Sequence, residues 1–233
     1  MPSSAADFAQ RTVALKNELL AQGGRVQALL EAAFTALFAR DPAGAANAIR
    51  LDDAIDGADV ALEQACVALL TDATRGGAEL DPRALRDVLT IVKANNELER
   101  IADVGVDIAE LVQPLQKHPG QFPDTFRVLA NSVVGILRDV NASMGRNDPA
   151  LANIVLQSQH AVWAFKGALV REAEAQIAHG RLATDFAFHL HEIAGYCEMI
   201  ADHCTNIAEQ VIYVNTGAIV RHMDTRWVEV PRP

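Results

Sequence analysis

Leu98-Glu99-Arg100-Ile101-Ala102-Asp103-Val104-Gly105-Val106-Asp107-Ile108-Ala109-Glu110 is the stretch that decides the fold. Leu98, Ile101, Gly105 and Ile108, continued by Val112, step by three and four residues, which marks one face of an α-helix. The acids take another face. At about 100° per residue, with Glu99 at zero, Asp103, Asp107 and Glu110 fall at roughly 40°, 80° and 20°. The segment therefore reads as a helix with an apolar side and a carboxylate side.

Outward from this stretch the chain repeats itself. Residues 98–103 return 99 positions later as Cys197-Glu198-Met199-Ile200-Ala201-Asp202, and Ile108-Ala109-Glu110 returns at the same spacing as Ile207-Ala208-Glu209. Asp41-Pro42-Ala43 returns 107 positions later as Asp148-Pro149-Ala150, so the second copy is eight residues shorter between these anchors. Internal duplication explains the pattern. Each Asp-Pro is an N-cap followed by proline in the first helical position. Gly76-Gly77 to Asp81-Pro82, the segment from Gln113 to Pro123, and Gly180 supply the other breaks. Val26, Leu30, Ala33 and Leu37 give the first helix its apolar face. The sequence thus predicts an all-α fold of two tandem, related three-helix bundles. Its six long helices run approximately over 6–40, 42–74, 81–113, 122–146, 148–179 and 182–217. The expected units are 1–116 and 117–222, followed by a loose tail at 223–233.

Composition agrees. The chain has 233 residues, 50% hydrophobic and only 5% aromatic, which suits helices packed on a sizeable core. Thirty acidic against twenty basic residues leave a net charge of −10, which would repel nucleic-acid phosphates. No signal peptide is visible and no run reaches the ~20 apolar residues of a membrane helix, so the expectation is a cytoplasmic protein. Cys197 and Cys204 are seven apart on one helix, ~10 Å by helical rise, too far for a disulfide. With the isolated Cys66 they read as buried, reduced thiols.

A second acidic stripe lies on the preceding helix, where Asp52, Asp56, Asp59 and Glu63 share a ~60° arc. Neither stripe has basic residues at four-residue spacing to balance it, and each uncompensated like pair costs ~0.2–0.5 kcal/mol. Two readings stand beside each other: an ordinary solvated face, or a face that binds a hard or intermediate cation or a basic partner.

Several segments together resemble the PhoU family. Leu98 to Asp103 with Asp107 to Glu110 is similar to its recurring Glu-Arg-x-x-Asp signature. Leu80 to Arg86 resembles its Asp-Leu-Arg helix start, and Asp52 to Asp56 followed by Ala65-Cys66 matches the preceding helix. Gly23-Gly24, the block Ala201 to Glu209, Gly217 and Arg221-His222 fit as well. The resemblance spans most of residues 8–222. It implies a non-enzymatic regulator of phosphate uptake and phosphate-starvation signalling. Such a protein is an adaptor between the ATPase of a phosphate ABC transporter and a sensor histidine kinase, often a homodimer, meeting the membrane only through partners. Some members bind iron or zinc clusters through acidic pairs. Carried over, the ligands are Asp52, Asp56, Glu99, Asp103 and Asp107 in the first repeat, with Glu198 and Asp202 as a weaker second set.

Departures from the pattern fall mainly in the second half. Arg50 stands where the family usually has Glu, Met199 replaces Arg, and Asn206 stands where Asp107 does. No Asp or Glu occurs from Ala150 to Val170. The 107 offset sets Gln159 and Trp163 opposite Asp52 and Asp56, and a one-residue shift gives Ser158 and Val162. Only the sixth-helix half remains: Glu198, Asp202 and Glu209. His191 lies on the Glu198 face and could be a substitute ligand, His203 reads as structural, and Trp163 and Phe165 read as packing residues. No phosphate loop, nucleophile elbow or Cys-x-x-Cys appears. A carboxylate-ligated metal-binding bundle, for iron handling or metalloenzyme chemistry, is the alternative. It lacks the Glu-x-x-His spacing of such bundles, because Ala102, Gln113, Ala201 and Ile212 stand at those positions.

Overall fold

The structure is a computed structural model and describes residues 5–118 and 120–220. Arg221, His222 and the 223–233 tail lie outside the described residues. The elements are α1 (Ala5–Ala39), α2 (Pro42–Arg75), α3 (Pro82–Glu110), a single turn α4 (Val112–Leu115), α5 (Asp124–Arg146), α6 (Pro149–Ala178) and α7 (Thr184–Thr216). The six long helices match the sequence reading, except that the third is broken at Leu111 before α4. No strand occurs among the described residues. No helix there is long and apolar enough to cross a membrane.

Local chemistry sets the helix ends. Asp41 Oδ1 accepts from Ala43 N at 3.0 Å, Asp81 Oδ1 from Ala84 N at 2.7 Å, and Asp148 Oδ1 from Ala150 N at 2.9 Å. Each cap precedes a proline whose missing N–H would have had no helical partner anyway. Asn147 (φ 49°) ends α5 and Gly217 (φ 75°) ends α7 in the left-handed region.

α1, α2 and α3 pack as one bundle and α5, α6 and α7 as the other. α3 and α7 also pack against each other, and α1 touches α5. One continuous core therefore runs through both bundles. Leu98, Ile101, Ala102 and Ile108 of α3 are fully buried, as are Ile200, Ala201 and Ile207 of α7. Each large aliphatic side chain so buried contributes ~1.5–3 kcal/mol. Gly105 falls on the same apolar face because α1 comes too close for a side chain. A Cβ there would sit 2.3 Å from Leu29 Cδ2.

Arg40 anchors the linker between bundles, where Phe122 also packs edge-on against Phe38 and His118 lies against Phe186. Arg40 donates to the carbonyl oxygens of His118 and Gly120. Its guanidinium lies over the rings of Phe122 and Phe186, 5.8 and 5.7 Å from their centroids. Cys66, Cys197 and Cys204 are free and buried, and desolvation pushes the Cys66 thiol up to about 11 and Cys197 to about 12.

Candidate functional site

The two acidic stripes face each other across the α2–α3 contact. Asp52 is pushed up to about 6, first by burial and then by the charges of Asp56, Asp103 and Asp53. Glu99 is raised by burial, then by Asp103, Asp59 and Asp56. Asp59 is raised by burial, Glu63 and Asp56. These mutual effects mean that Asp52, Asp56 and Asp59 of α2 share one space with Glu99 and Asp103 of α3. No ammonium or guanidinium pairs with any of them in a salt bridge among the described residues. Asp52 Oδ1 is buried and has no hydrogen-bond partner. A buried carboxylate oxygen left unpartnered among like charges is costly unless a proton or cation joins it.

Asp107 sits farther along α3. Burial raises it first, then Glu110, Asp103 and Glu192 of α7. It therefore extends the acidic face toward the second repeat instead of joining the Asp52 group. As the side chains stand, no three His, Cys, Asp or Glu among the described residues are gathered tightly enough to hold a metal ion.

The second repeat has the same geometry with different chemistry. Gln159 Nε2 donates to Asp202 Oδ1 at 2.6 Å, and Lys166 Nζ pairs with Glu198. The offsets of 107 and 99 make Gln159 and Asp202 the counterparts of Asp52 and Asp103. The same offsets make Lys166 and Glu198 the counterparts of Asp59 and Glu99. Carboxylate-on-carboxylate contacts in the first repeat thus become carboxylate–amide and carboxylate–ammonium contacts in the second. Lys166 is the residue that sequence reasoning missed. Adding 107 to Asp59 would have found it, whereas counting acids from 150 to 170 could not.

A separate polar link joins the repeats. His203 Nδ1 lies 2.8 Å from Glu97 Oε2, and Asn206 Nδ2 donates to the same oxygen at 2.9 Å. Burial would raise the Glu97 carboxyl, but these two hydrogen bonds together with the charges of His203 and Arg100 hold it below its usual range. His203, read as structural from the sequence, links α7 to α3 through Glu97. His191 is exposed on α7 and lines an apolar groove together with Glu172 and Glu174. Trp163 is 43% exposed with its ring edge-on to His160, while Phe165 packs partly against the core.

Comparison with known proteins gives a consistent result. The family model described as "PhoU domain" matches twice, at residues 19–112 and 126–211. The phosphate-specific transport system accessory protein PhoU of Serratia marcescens is 28% identical over 212 residues, 90% of this chain and 84% of that one. The homologue of Zymomonas mobilis is 30% identical over 198 residues, 84% of this chain and 81% of its own. The crystal structure of PhoU from Pseudomonas aeruginosa superposes with a TM-score of 0.83 at 25% identity, covering 91% of this chain and all of that one. That of the phosphate transport system regulatory protein PhoU from Streptococcus pneumoniae also scores 0.83, at 24% identity, over 91% of this chain and 99% of that one. With both halves matched by the same family model and the duplicated bundle reproduced, this chain belongs to the PhoU family.

Proposed function

We propose that this chain is an accessory, regulatory protein of phosphate transport. In this reading it is a non-enzymatic adaptor between the ATPase of a phosphate ABC transporter and a sensor histidine kinase. Family membership across both repeats carries the reading. Two features of the chain support it: an acidic surface suited to basic protein partners, and no Gly-rich phosphate cradle of its own. Phosphate status would then reach the chain through its partners. A homodimer in the cytoplasm, reaching the membrane only through those partners, belongs to the same reading. The test is a pull-down of the cognate ATPase and kinase with the purified chain. Binding of at least one at micromolar protein is expected, and binding of neither would overturn the adaptor role.

The acidic face of the first repeat supports a cation site within that framework. Asp52, Asp56, Glu99 and Asp103 would hold a divalent or trivalent metal such as iron or zinc, with Asp107 at the edge. The observation behind it is the unpartnered, buried Asp52 Oδ1 among like charges. An all-carboxylate donor set fits hard or intermediate cations, and a bound cation would supply the positive charge that the face lacks. In the second repeat Lys166 and Gln159 already satisfy Glu198 and Asp202, so that face has little need of metal. Divalent metal should raise the melting temperature of the wild-type chain and not that of Asp52→Ala with Glu99→Ala. An equal rise in both would remove the site from α2 and α3.

A further inference from the structure

The two bundles differ most at one end. α1 and α5 both stop two residues before their Asp-Pro caps, but α1 has 35 residues and α5 has 23. About three turns at the start of α1, residues 5–16, therefore have no counterpart in α5. In the first repeat those turns lie between the end of α2 and the start of α3. Phe8 and Thr12 are buried there. Arg11 Nη1 meets Asp72 of α2 at 2.9 Å, and Lys16 Nζ meets Asp87 of α3 at 2.6 Å.

The matching place in the second repeat is an open apolar groove of about 290 Å³. It begins where α5 begins, at Pro123 and Phe126, and runs between α6 and α7. Leu169, Ala173, Ala187 and Leu190 line it. By the two offsets their counterparts are Leu62, Cys66, Val88 and Ile91, at 1–2% exposure in the first repeat, against 6% for Leu169, 8% for Ala187, 3% for Leu190 and a half-buried Ala173 here, so the groove is a shallow one whose floor is already largely covered. Phe188 stands at the lip, 72% exposed. The ionisable residues of the lining are Glu172, Glu174 and His191, with no Lys or Arg among them.

We propose that this groove docks an amphipathic, basic helix of a partner protein, laid across α6 and α7 as the first turns of α1 lie across α2 and α3. The chain itself supplies the template. Phe8 and Leu15, with the buried Thr12 between them, form the inward face of those turns, and Arg11 and Lys16 reach acids on either side. An occupant of the groove needs the same spacing of apolar or aromatic anchors, three to four residues apart, but a different placement of charge: the counterparts of Asp72 and Asp87 are His179 and Phe186, so its Lys or Arg would face Glu172 and Glu174 on α6. This names a surface for the adaptor reading and rests on that reading only for the existence of a protein partner.

The test uses the full chain and a fluorescent peptide of residues 6–19 carrying Asp7→Gln and Glu18→Gln, with a scrambled peptide as control. Saturable binding of one peptide per chain is expected. Glu172→Lys with Glu174→Lys should weaken it about tenfold, because two flanking ion pairs become repulsive. Ala173→Trp, which fills the groove, should abolish it. Phe188→Ser, exposed and so without effect on folding, should also weaken it, and thermal melts of both variants establish that they fold. Equal binding of the scrambled peptide, or binding unchanged by Ala173→Trp and Phe188→Ser, overturns the proposal. So does a dimer that Ala173→Trp converts to monomer, since the groove would then belong to a second copy. Failure of the peptide leaves a positive pull-down standing, and failure of the pull-down leaves peptide binding standing, so the two ideas fall separately.

Discussion

Asp52 and Glu97 are carboxylates that the fold perturbs in opposite directions. Asp52 is raised from 3.8 to about 6, so the metal-free folded state holds its proton more tightly than the unfolded chain does. Its contribution to stability is largest below pH 3.8 and is lost as pH rises toward 6. Asp52→Asn should therefore raise the melting temperature of metal-free protein at pH 7 and flatten its change between pH 4 and 6. An unchanged profile would mean that Asp52 is not strained. Glu97 is lowered, so its contribution is present above its unfolded value of 4.5 and is lost as pH falls below that. His203→Ala removes one of its two partners and should cost roughly 1–3 kcal/mol by denaturant titration, with acid unfolding beginning at higher pH. The thiols give a third residue-level check. Buried and pushed upward, Cys66 and Cys197 should resist alkylation at pH 8 until the chain is unfolded.

At the scale of elements, the helices were legible and their pairings were only partly so. Steps of three and four marked the first and third helices, the Pro and Gly breaks set off the others, and the Asp-Pro pairs gave the starts of α2 and α6 to within a residue, because capping is chemistry between neighbours in sequence. The α2–α3 carboxylate face was also legible, since each stripe can be drawn on its own helix. Lys166 against Glu198 and His203 against Glu97 were not. They depend on how α6 meets α7 and how α3 meets α7, which no single-helix pattern encodes. The short α5 was visible as a late start, but its consequence, the uncovered groove, needed the packed bundle. Gly105 makes the same point. Its place on the apolar face was readable, but the 2.3 Å approach of Leu29 that demands glycine was not. Gly105→Val should destabilise the chain by at least ~1–3 kcal/mol through overpacking between α1 and α3. The α6–α7 pairing has its own test. Gln159→Asp with Lys166→Asp would recreate facing carboxylates, lowering the metal-free melting temperature and making it respond to divalent metal at the second repeat.

For the whole molecule, duplication of the helices is not duplication of chemistry. Two three-helix repeats share one core through α3 and α7. We propose that 1–116 and 117–222 are repeats within one cooperative unit, not autonomous domains. A single calorimetric transition is expected, and two resolved transitions would argue for independent halves. Within that unit the first repeat presents carboxylates without a cationic partner, Asp59 being met by the Asn95 amide, and the second presents the same positions answered by the Gln159 amide and the Lys166 ammonium, beside a groove that the first repeat fills with its own α1. The most direct measurement is metal content of the purified chain, comparing Asp52→Ala with Glu99→Ala against Glu198→Ala with Asp202→Ala. Loss of metal in the first pair and retention in the second is the expected result. Unchanged metal in the first pair, or equal loss in both, would contradict the asymmetry.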